Sequence, residues 1–336
     1  MITIKDVARV AGVSTATVSR VIHGEGQVGD ECRARVKKII DELGYRPNTN
    51  AQALVRRTSM TLGVVTPRLS MTFFGCLAAG AELAAREHNY KLLMCNSLYE
   101  TKTELEAIDS LREHSCGAIV LHSEYSDEST LIKLAKQIPG LVLVNRFIPQ
   151  IANRCVWLDN EAGSKKLTEY LIQQGHTKIA VATSVYRNHD PQLRLNGVIQ
   201  ALNQSGLKFN PDLLVESTAN LKGGEETALA LLEKNITFTA VIAYNDLMAV
   251  GVMNTLQDKG IKVPEDVSVV GFDNLYISRA CRPGLTTMNY PVEEMANHAA
   301  SLAIELSNNK SKNSNQTHLF IPELIERASV TIARPD

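Results

Sequence analysis

The sequence has no paired cysteines: Cys32, Cys76, Cys95, Cys116, Cys155 and Cys281 are scattered, with neither a CxxC pair nor a Cys/His spacing suited to zinc. That excludes a disulfide framework and a zinc site, and fits free thiols in a reducing cytoplasm. No metal and no cofactor is expected. The amino terminus, Met1-Ile2-Thr3-Ile4-Lys5-Asp6, has no apolar h-region, and no apolar run approaches membrane-spanning length. A soluble cytoplasmic protein without a membrane partner follows, in which the sequons at Asn203 and Asn315 are chance matches. Also missing are GxSxG, GxxxxGK[ST] and HExxH, the signatures of a nucleophile elbow, a phosphate loop and a zinc helix. Paired glycosidase carboxylates carry no such signature, so a sugar-processing enzyme stays the alternative function. A periplasmic carrier would need an export signal.

Net charge is nearly absent too, at -1 over 336 residues. That argues against indiscriminate coating of nucleic acid, yet it conceals an asymmetry. Residues 1–60 hold ten Lys and Arg against six Asp and Glu, and the remainder carries the compensating negative charge. With 44 % hydrophobic residues the chain can bury a large core, and its length calls for two or three domains.

The basic segment is built for short helices. Thr3 can cap a helix with Asp6 three residues on, and Ile4, Val7 and Ala8 share a face that Gly12 ends. Ser14 caps a second helix with Val18, Val21 and Ile22 inward and Thr15, Ala16, Thr17, Ser19 and Arg20 largely outward. So tight a connection needs a small residue at the contact, Ala8, and one that tolerates positive φ, Gly12. A third helix starts near Asp30 and aligns Val36, Ile39, Ile40 and Leu43 before Gly44. Only together can the three close a core. The polar outer face of the second suits a major groove, with Thr15, Ala16 and Arg20 placed to read bases. Gly24-Glu25-Gly26-Gln27-Val28-Gly29 matches GxGxxG, but it follows a helix and no strand, so it is read as a loop and not as a dinucleotide site.

The run Thr3-Ile4-Lys5-Asp6-Val7-Ala8-Arg9-Val10-Ala11-Gly12-Val13-Ser14-Thr15-Ala16-Thr17-Val18-Ser19-Arg20-Val21 resembles the opening of the lactose and galactose repressor family, as does Gly44-Tyr45-Arg46-Pro47-Asn48. The likeness continues through Asn245-Asp246, Val270-Gly271-Phe272-Asp273-Asn274 and Leu285-Thr286-Thr287. Val142-Leu143-Val144-Asn145-Arg146 and Leu171-Ile172-Gln173-Gln174-Gly175-His176 are similar to its galactose-type members. The resemblance implies a DNA-binding transcriptional regulator, a repressor released from double-stranded operator DNA by a small-molecule sugar, galactose or a close relative. A helix-turn-helix reader needs two half-sites, so a homodimer is expected, and the sequence to Asp336 offers no heptad run for a tetramer. Galactose-type members open the recognition helix with Val-Ala where this chain has Thr15-Ala16, so its operator is expected to differ there.

The expected organisation is a headpiece at 1–45, a hinge linker and hinge helix at 46–59, and an effector-binding and dimerisation domain at 60–336. Pro47 to Leu54 reads as a break and a helix too short to stand alone in water. By resemblance it folds in the minor groove, contacted by Asn50 and Ala51, with Leu54 wedged between central base steps; alternatively Leu54 packs on the sensor domain. From Thr61 on, β-rich runs alternate with helical stretches, the mark of an α/β fold with parallel sheets. Leu62 to Thr66, Lys91 to Cys95, Ala118 to Leu121 and Leu141 to Val144 form one strand series. Lys178 to Ala182, Leu213 to Glu216, Ala240 to Tyr244 and Val267 to Gly271 form a second. The family, similar to periplasmic sugar-binding proteins, implies two doubly wound subdomains, 60–158 with 290–318 and 159–289 with 319–336.

Ligands of such sheets bind beyond the carboxyl ends of the strands. Asn245 and Asp246 follow one strand, Asp273 and Asn274 another, and Arg194 lies early in the helix after Thr183-Ser184. Carboxylate and amide oxygens accept from sugar hydroxyls, and a guanidinium donates in a fork. An aromatic ring covers the apolar face of a pyranose, a role open to Phe73 and Phe74, which are otherwise core or dimer surface. The family assigns effector contacts to the positions of Arg194, Asn245 and Asp273, and cleft positions to Asn145 and Asp190. Asp246 is better read as the start of a helix than as a contact. Met71-Thr72 stands where relatives carry Asp-Pro, and Trp157 is read as core.

Overall fold

The computed structural model describes residues 2–24, 26–46, 59–186, 189–309 and 317–334. The chain divides into two units, Met1–Ser59 and Met60–Asp336.

In the first unit α1 spans Ile4–Ala11, α2 Thr15–His23 and α3 Asp30–Leu43. α1 and α2 start on local side-chain hydrogen bonds, whereas α3 follows Gly29 without one. The Thr3 N–H and hydroxyl donate to Asp6 Oδ2 at 3.0 and 2.7 Å, and Ser14 Oγ accepts from the Thr17 N–H at 3.1 Å. At α3 the first turn carries Asp30 and Glu31, favourable at the positive end of a helix dipole. α1 ends at Gly12, in the left-handed region at φ +64°. The core is Val7, Ala8, Ala11, Val18, Val21 and Val36, drawn from all three helices. The GxGxxG stretch follows α2, and no strand occurs among the described residues before Ser59. Asn50, Ala51 and Leu54 lie outside the described residues.

The second unit holds two six-stranded sheets. Toward the first go β1 (Ser59–Thr66), β2 (Lys91–Asn96), β3 (Cys116–Leu121), β4 (Gly140–Val144) and β5 (Cys155–Leu158). The helices between them are α4 (Thr72–Glu87), α5 (Thr101–Glu113) and α6 (Glu128–Gln137). After α7 (Asn160–Gln173) the second sheet takes β6 (Ile179–Ser184), β7 (Leu214–Ser217), β8 (Ala240–Ala243), β9 (Ser268–Asp273) and β10 (Thr286–Asn289). Its helices include α8 (His189–Gln204), α9 (Leu221–Glu233), α10 (Asp246–Asp258) and the short α11 (Tyr276–Ala280). The central strands are buried on both faces, and their residues, such as Ala118 to Leu121 and Leu141 to Val144, are accordingly apolar throughout.

The chain then crosses back. α12 (Val292–Ser307) packs on α4, β3 and β4 of the first half. Its backbone approaches so closely that a Cβ on Gly80 would lie 2.0 Å from the Glu293 carbonyl oxygen, which only glycine avoids. β11 (His318–Phe320) runs parallel to β5, and β12 (Glu323–Ile325) antiparallel to β10. The first sheet is therefore ordered β11-β5-β4-β3-β1-β2 and the second β12-β10-β9-β8-β6-β7. The family resemblance implies a return to the second half from Leu319, but Leu319 and Phe320 still pair with the first sheet. The step falls at Ile321-Pro322, because Pro322 has no N–H to continue the ladder. No helix among the described residues is long and apolar enough to cross a membrane.

Candidate functional site

A cavity opens at the carboxyl ends of the strands, between the two sheets' subdomains. The structure brings seven residues singled out from the sequence to its wall: Phe73, Phe74, Asn145, Asp190, Arg194, Asn245 and Asp273. Each follows a strand or ends one: β1 leads to Phe73 and Phe74, β4 to Asn145, β6 to Asp190 and Arg194, β8 to Asn245, and Asp273 closes β9. Asn145 and Asp273 have positive φ, 60° and 110°, so the backbone turns away as the strand ends and the side chain stays at the opening.

Arg194 is the hub. Its Nε donates to Asn160 Oδ1 at 2.9 Å, Nη1 donates to the Tyr244 carbonyl, and Nη2 stands 3.7 Å from Asp273 Oδ1. The guanidinium lies 3.7 Å from the centroid of the Phe272 ring and 4.5 Å from that of Tyr244, so its plane is fixed by stacking as well as by hydrogen bonds. Asp190 accepts from Asn145 Nδ2 at 2.6 Å and from Asn160 Nδ2 at 3.3 Å. The first of these bonds joins the two subdomains. Asn245 caps α10 by accepting from the Met248 N–H at 2.9 Å, and its Nδ2 donates to the Ala219 carbonyl at 3.1 Å. One amide hydrogen of Asn245 is left for a further acceptor.

Asp246, Asn274 and Trp157 have other places. Asp246 opens α10, fully buried, accepting from the Leu275 N–H at 2.7 Å and the Thr287 hydroxyl at 2.5 Å. Asn274 donates to Asn289 Oδ1 at 2.9 Å and accepts from Arg327 Nη2 at 2.6 Å. Both carboxylate and amide brace loops behind the cavity. Trp157 packs at the margin of the first sheet's core, its ring half-buried against Phe147, and its indole N–H donates to Thr317 Oγ1 at 2.9 Å.

The wall also carries residues that the sequence reading did not select: Met71, Tyr99, His122, Glu124, Tyr186, Tyr244 and Tyr290. Tyr244, His122 and Tyr290 each come immediately after a strand, so the strand-end rule alone would have marked them. Tyr99 and Tyr186 stack across the cavity, centroids 5.1 Å apart at 21°, and the Tyr99 hydroxyl donates to Met71 Sδ at 2.8 Å. Phe73 meets Tyr290 edge-on at 4.9 Å, and Phe74 meets His122 edge-on at 5.1 Å.

Burial sets the protonation of this wall. Asp273 is pushed up to about 7 by desolvation, which the Arg194 charge only partly offsets. Glu124 is pushed up to about 8 by desolvation first, then by the charges of Asp190 and Glu104. Asp190 is raised for the same first reason, with Arg194 pulling the other way. His122, fully desolvated, is held down to about 4 and is neutral near pH 7. The cavity thus offers a fixed cation, carboxyl groups able to accept or donate, and aromatic edges. Among the described residues no cluster of three or more His, Cys, Asp or Glu could hold a metal.

In the headpiece Thr15, Ala16 and Arg20 are exposed on α2, the second helix of a helix-turn-helix. Thr17 and Ser19 are half-buried, less outward than the sequence suggested. Thr17 is drawn in by capping, its hydroxyl 2.9 Å from that of Ser14.

A helix-turn-helix unit followed by a two-sheet domain with a polar, aromatic-lined cleft defines a ligand-sensing DNA-binding regulator. Comparison with known proteins agrees. Residues 3–48 match the family described as bacterial regulatory proteins, lacI family, and residues 168–330 match the periplasmic binding protein-like domain. The chain is 42 % identical over 331 residues to the HTH-type transcriptional regulator GalR of Escherichia coli (strain K12), covering 98 % of this chain and 96 % of that one. It is 41 % identical over 330 residues to GalS of Salmonella typhimurium (strain LT2), covering 98 % and 97 %. In fold it is similar to the lac repressor dimer bound to operator and the anti-inducer ONPF, with a TM-score of 0.89 at 24 % identity over 98 % of this chain and 99 % of that chain. This chain belongs to the lacI family and is a DNA-binding transcriptional regulator, not an enzyme.

Proposed function

We propose that the protein is a cytoplasmic homodimeric repressor that leaves a near-palindromic operator when galactose or a close relative occupies the cleft. The observation that carries the reading is the pairing of Arg194 with Asp273 and Asp190 in one aromatic-lined cavity, a set that donates to and accepts from vicinal hydroxyls. The 42 % identity to a protein named GalR supports the choice of sugar. Residues 1–45 read the operator through Thr15, Ala16, Thr17, Ser19 and Arg20, and 60–336 hold the effector and the dimer. The 46–59 hinge folds in the minor groove, with Asn50 and Ala51 against the groove and Leu54 as the wedge.

Cross-cleft bonds such as Asn145–Asp190 give the effector something to act on. A sugar that binds between the subdomains favours one arrangement of them, and it weakens DNA binding only by its differential affinity for the free and operator-bound forms. Titration of an operator complex with a panel of sugars, D-galactose first, tests this. Release by D-galactose and not by D-glucose is expected. An operator complex indifferent to every hexose removes the sugar from the reading.

A further inference from the structure

At the opposite end of the second sheet from the effector cleft lies another cavity, of about 310 Å³. That volume falls just within the roughly 300 to 1,000 Å³ of pockets that hold small-molecule ligands. The strands β7, β6 and β8 are neighbours and run parallel, and the cavity sits where all three begin. Lys178 and Ile179 stand at the start of β6, Leu213 immediately before β7, and Ile236 and Thr237 shortly before β8. Leu202, in the last turn of α8, and Lys208 and Asn210, on the loop that follows it, complete the lining. None of these residues touches the cleft, which opens where the same strands end.

The floor is aliphatic. Ile179, Leu202 and Leu213 are buried, and Ile236 is half-buried beside them. The rim is cationic: Lys178 is half-buried, Lys208 is exposed, and among the described residues no carboxylate lines the cavity. Asn210 adds donors, since its Oδ1 accepts from the Asp212 N–H at 3.0 Å and its amide hydrogens remain. This positive rim is local, because beyond residue 60 the chain carries an excess of Asp and Glu over Lys and Arg. An aliphatic floor beneath ammonium groups fits one kind of molecule. Its apolar body displaces water from the leucines and isoleucines, and its anionic end meets the lysines in charge-assisted hydrogen bonds.

We propose that this cavity is a second ligand site, separate from the effector cleft, for a small organic anion: a carboxylate carried on an apolar body about the size of a phenyl ring. The body lies over Leu202, Leu213 and Ile236, and the carboxylate reaches Lys208 and Lys178. An inorganic anion leaves the aliphatic floor wet, and a neutral apolar molecule leaves the cations unused, so neither matches the whole lining. The site is independent of whatever occupies the cleft.

Three probes separate the two halves of the lining. The full-length protein is titrated, with ligand-observed NMR as the readout, with phenylacetate, with phenylacetamide, which keeps the shape without the charge, and with acetate, which keeps the charge without the body. Phenylacetate is expected to bind saturably, at least about threefold more tightly than phenylacetamide and at least about tenfold more tightly than acetate. Lys208→Glu reverses a charge on the rim, and Thr237→Glu sets a carboxylate there at another exposed position. Each is expected to weaken phenylacetate by about fivefold or more while operator binding stays at the parent level, which shows the variant folded. Arg194→Ala, in the cleft, is expected to leave phenylacetate affinity within about twofold. The site is overturned if phenylacetate does not bind saturably, or if phenylacetamide or acetate equals it. It is overturned equally if both rim variants bind phenylacetate like the parent, or if Arg194→Ala abolishes binding, which would put the anion in the cleft.

Discussion

The headpiece carries its charge outside, whereas the effector domain also buries a small set of ionisable groups at its cleft. Among the described residues of the first unit every buried side chain is apolar, and ion pairs such as Arg9–Asp6 and Lys38–Glu42 lie in solvent. In the second unit Arg194, Asp190, Asp246, Asp273, Glu104 and Glu124 are each less than a tenth exposed. The difference follows from what each unit meets. A DNA duplex is a large polyanion approached by a solvated surface, while a small molecule is enclosed and must find its partners already desolvated. Screening should therefore divide the two activities. Raising NaCl from roughly 50 to 200 mM is expected to weaken operator binding by about 10³ to 10⁵ if six to ten phosphates are contacted, and to change sugar affinity less than about twofold. Calorimetric sugar titrations and operator binding over the same salt series check this. A sugar affinity that falls in step with operator affinity would erase the contrast.

The next effect is confined to the inner charges. Arg194→Ala removes a charged hydrogen-bonding partner and leaves Asp273 and Asp190 without their cation. Sugar affinity should drop by about 1.5 to 3 kcal/mol, roughly ten- to a hundredfold. Operator binding in the absence of sugar should match the parent. Parent-like sugar affinity in this variant would remove Arg194 from the site, and loss of operator binding would show that the two units are not separable.

The same division governs how much could be read without coordinates. The headpiece was legible almost residue by residue, because its determinants are local: Thr3 with Asp6, Ser14 with Thr17, and glycines at the ends of α1 and α3. In the effector domain the strands were legible as apolar runs, but their neighbours were not. The return of α12 onto α4 depends on a backbone approach at Gly80, more than two hundred residues away in sequence, and no periodicity announces it. Of the charged residues of the cavity, Arg194, Asp190 and Asp273 stood out through the family resemblance and Glu124 did not. Phe73 and Phe74 were legible too, but the tyrosines were not, since the Tyr99–Tyr186 stack joins loops of different subdomains and tyrosine at a strand end reads equally well as packing. At Trp157 the apolar strand pattern gives the contact with the core but not the cavity that the ring also lines.

On the outer side of the comparison, specificity should be separable from charge. Thr15→Val restores the galactose-type opening of α2 and alters an exposed side chain. It is expected to shift base preference at one or two operator positions by about 1 to 3 kcal/mol each, with the salt slope unchanged. An unaltered consensus after binding-site selection would exclude Thr15 from base reading. A changed salt slope would instead place it against phosphate.

The mildest lever, and one that reaches only the buried charges, is pH. Asp273, raised by desolvation to about 7, is largely protonated at pH 6, when one of its oxygens becomes a donor. If a sugar hydroxyl donates to the carboxylate, affinity falls roughly tenfold for each unit below pH 7 and levels off above it. Glu124, raised to about 8, keeps its proton across that window and does not reverse the trend until higher pH. Stability moves the other way. A carboxyl whose folded pKa lies above its unfolded value contributes stability in full below the unfolded value, and this is lost as pH rises through the folded one. Between about pH 7.5, where His122 is neutral in the folded and largely so in the unfolded chain, and about 8, the sugar-free effector domain should melt at progressively lower temperature. Sugar should therefore raise the melting temperature more at pH 8 than at pH 6. Asp273→Asn, which cannot ionise, should bind sugar weakly and with a flat profile over this range. A parent-like rise in affinity with pH in that variant would assign the titration to Glu124 or Asp190 instead.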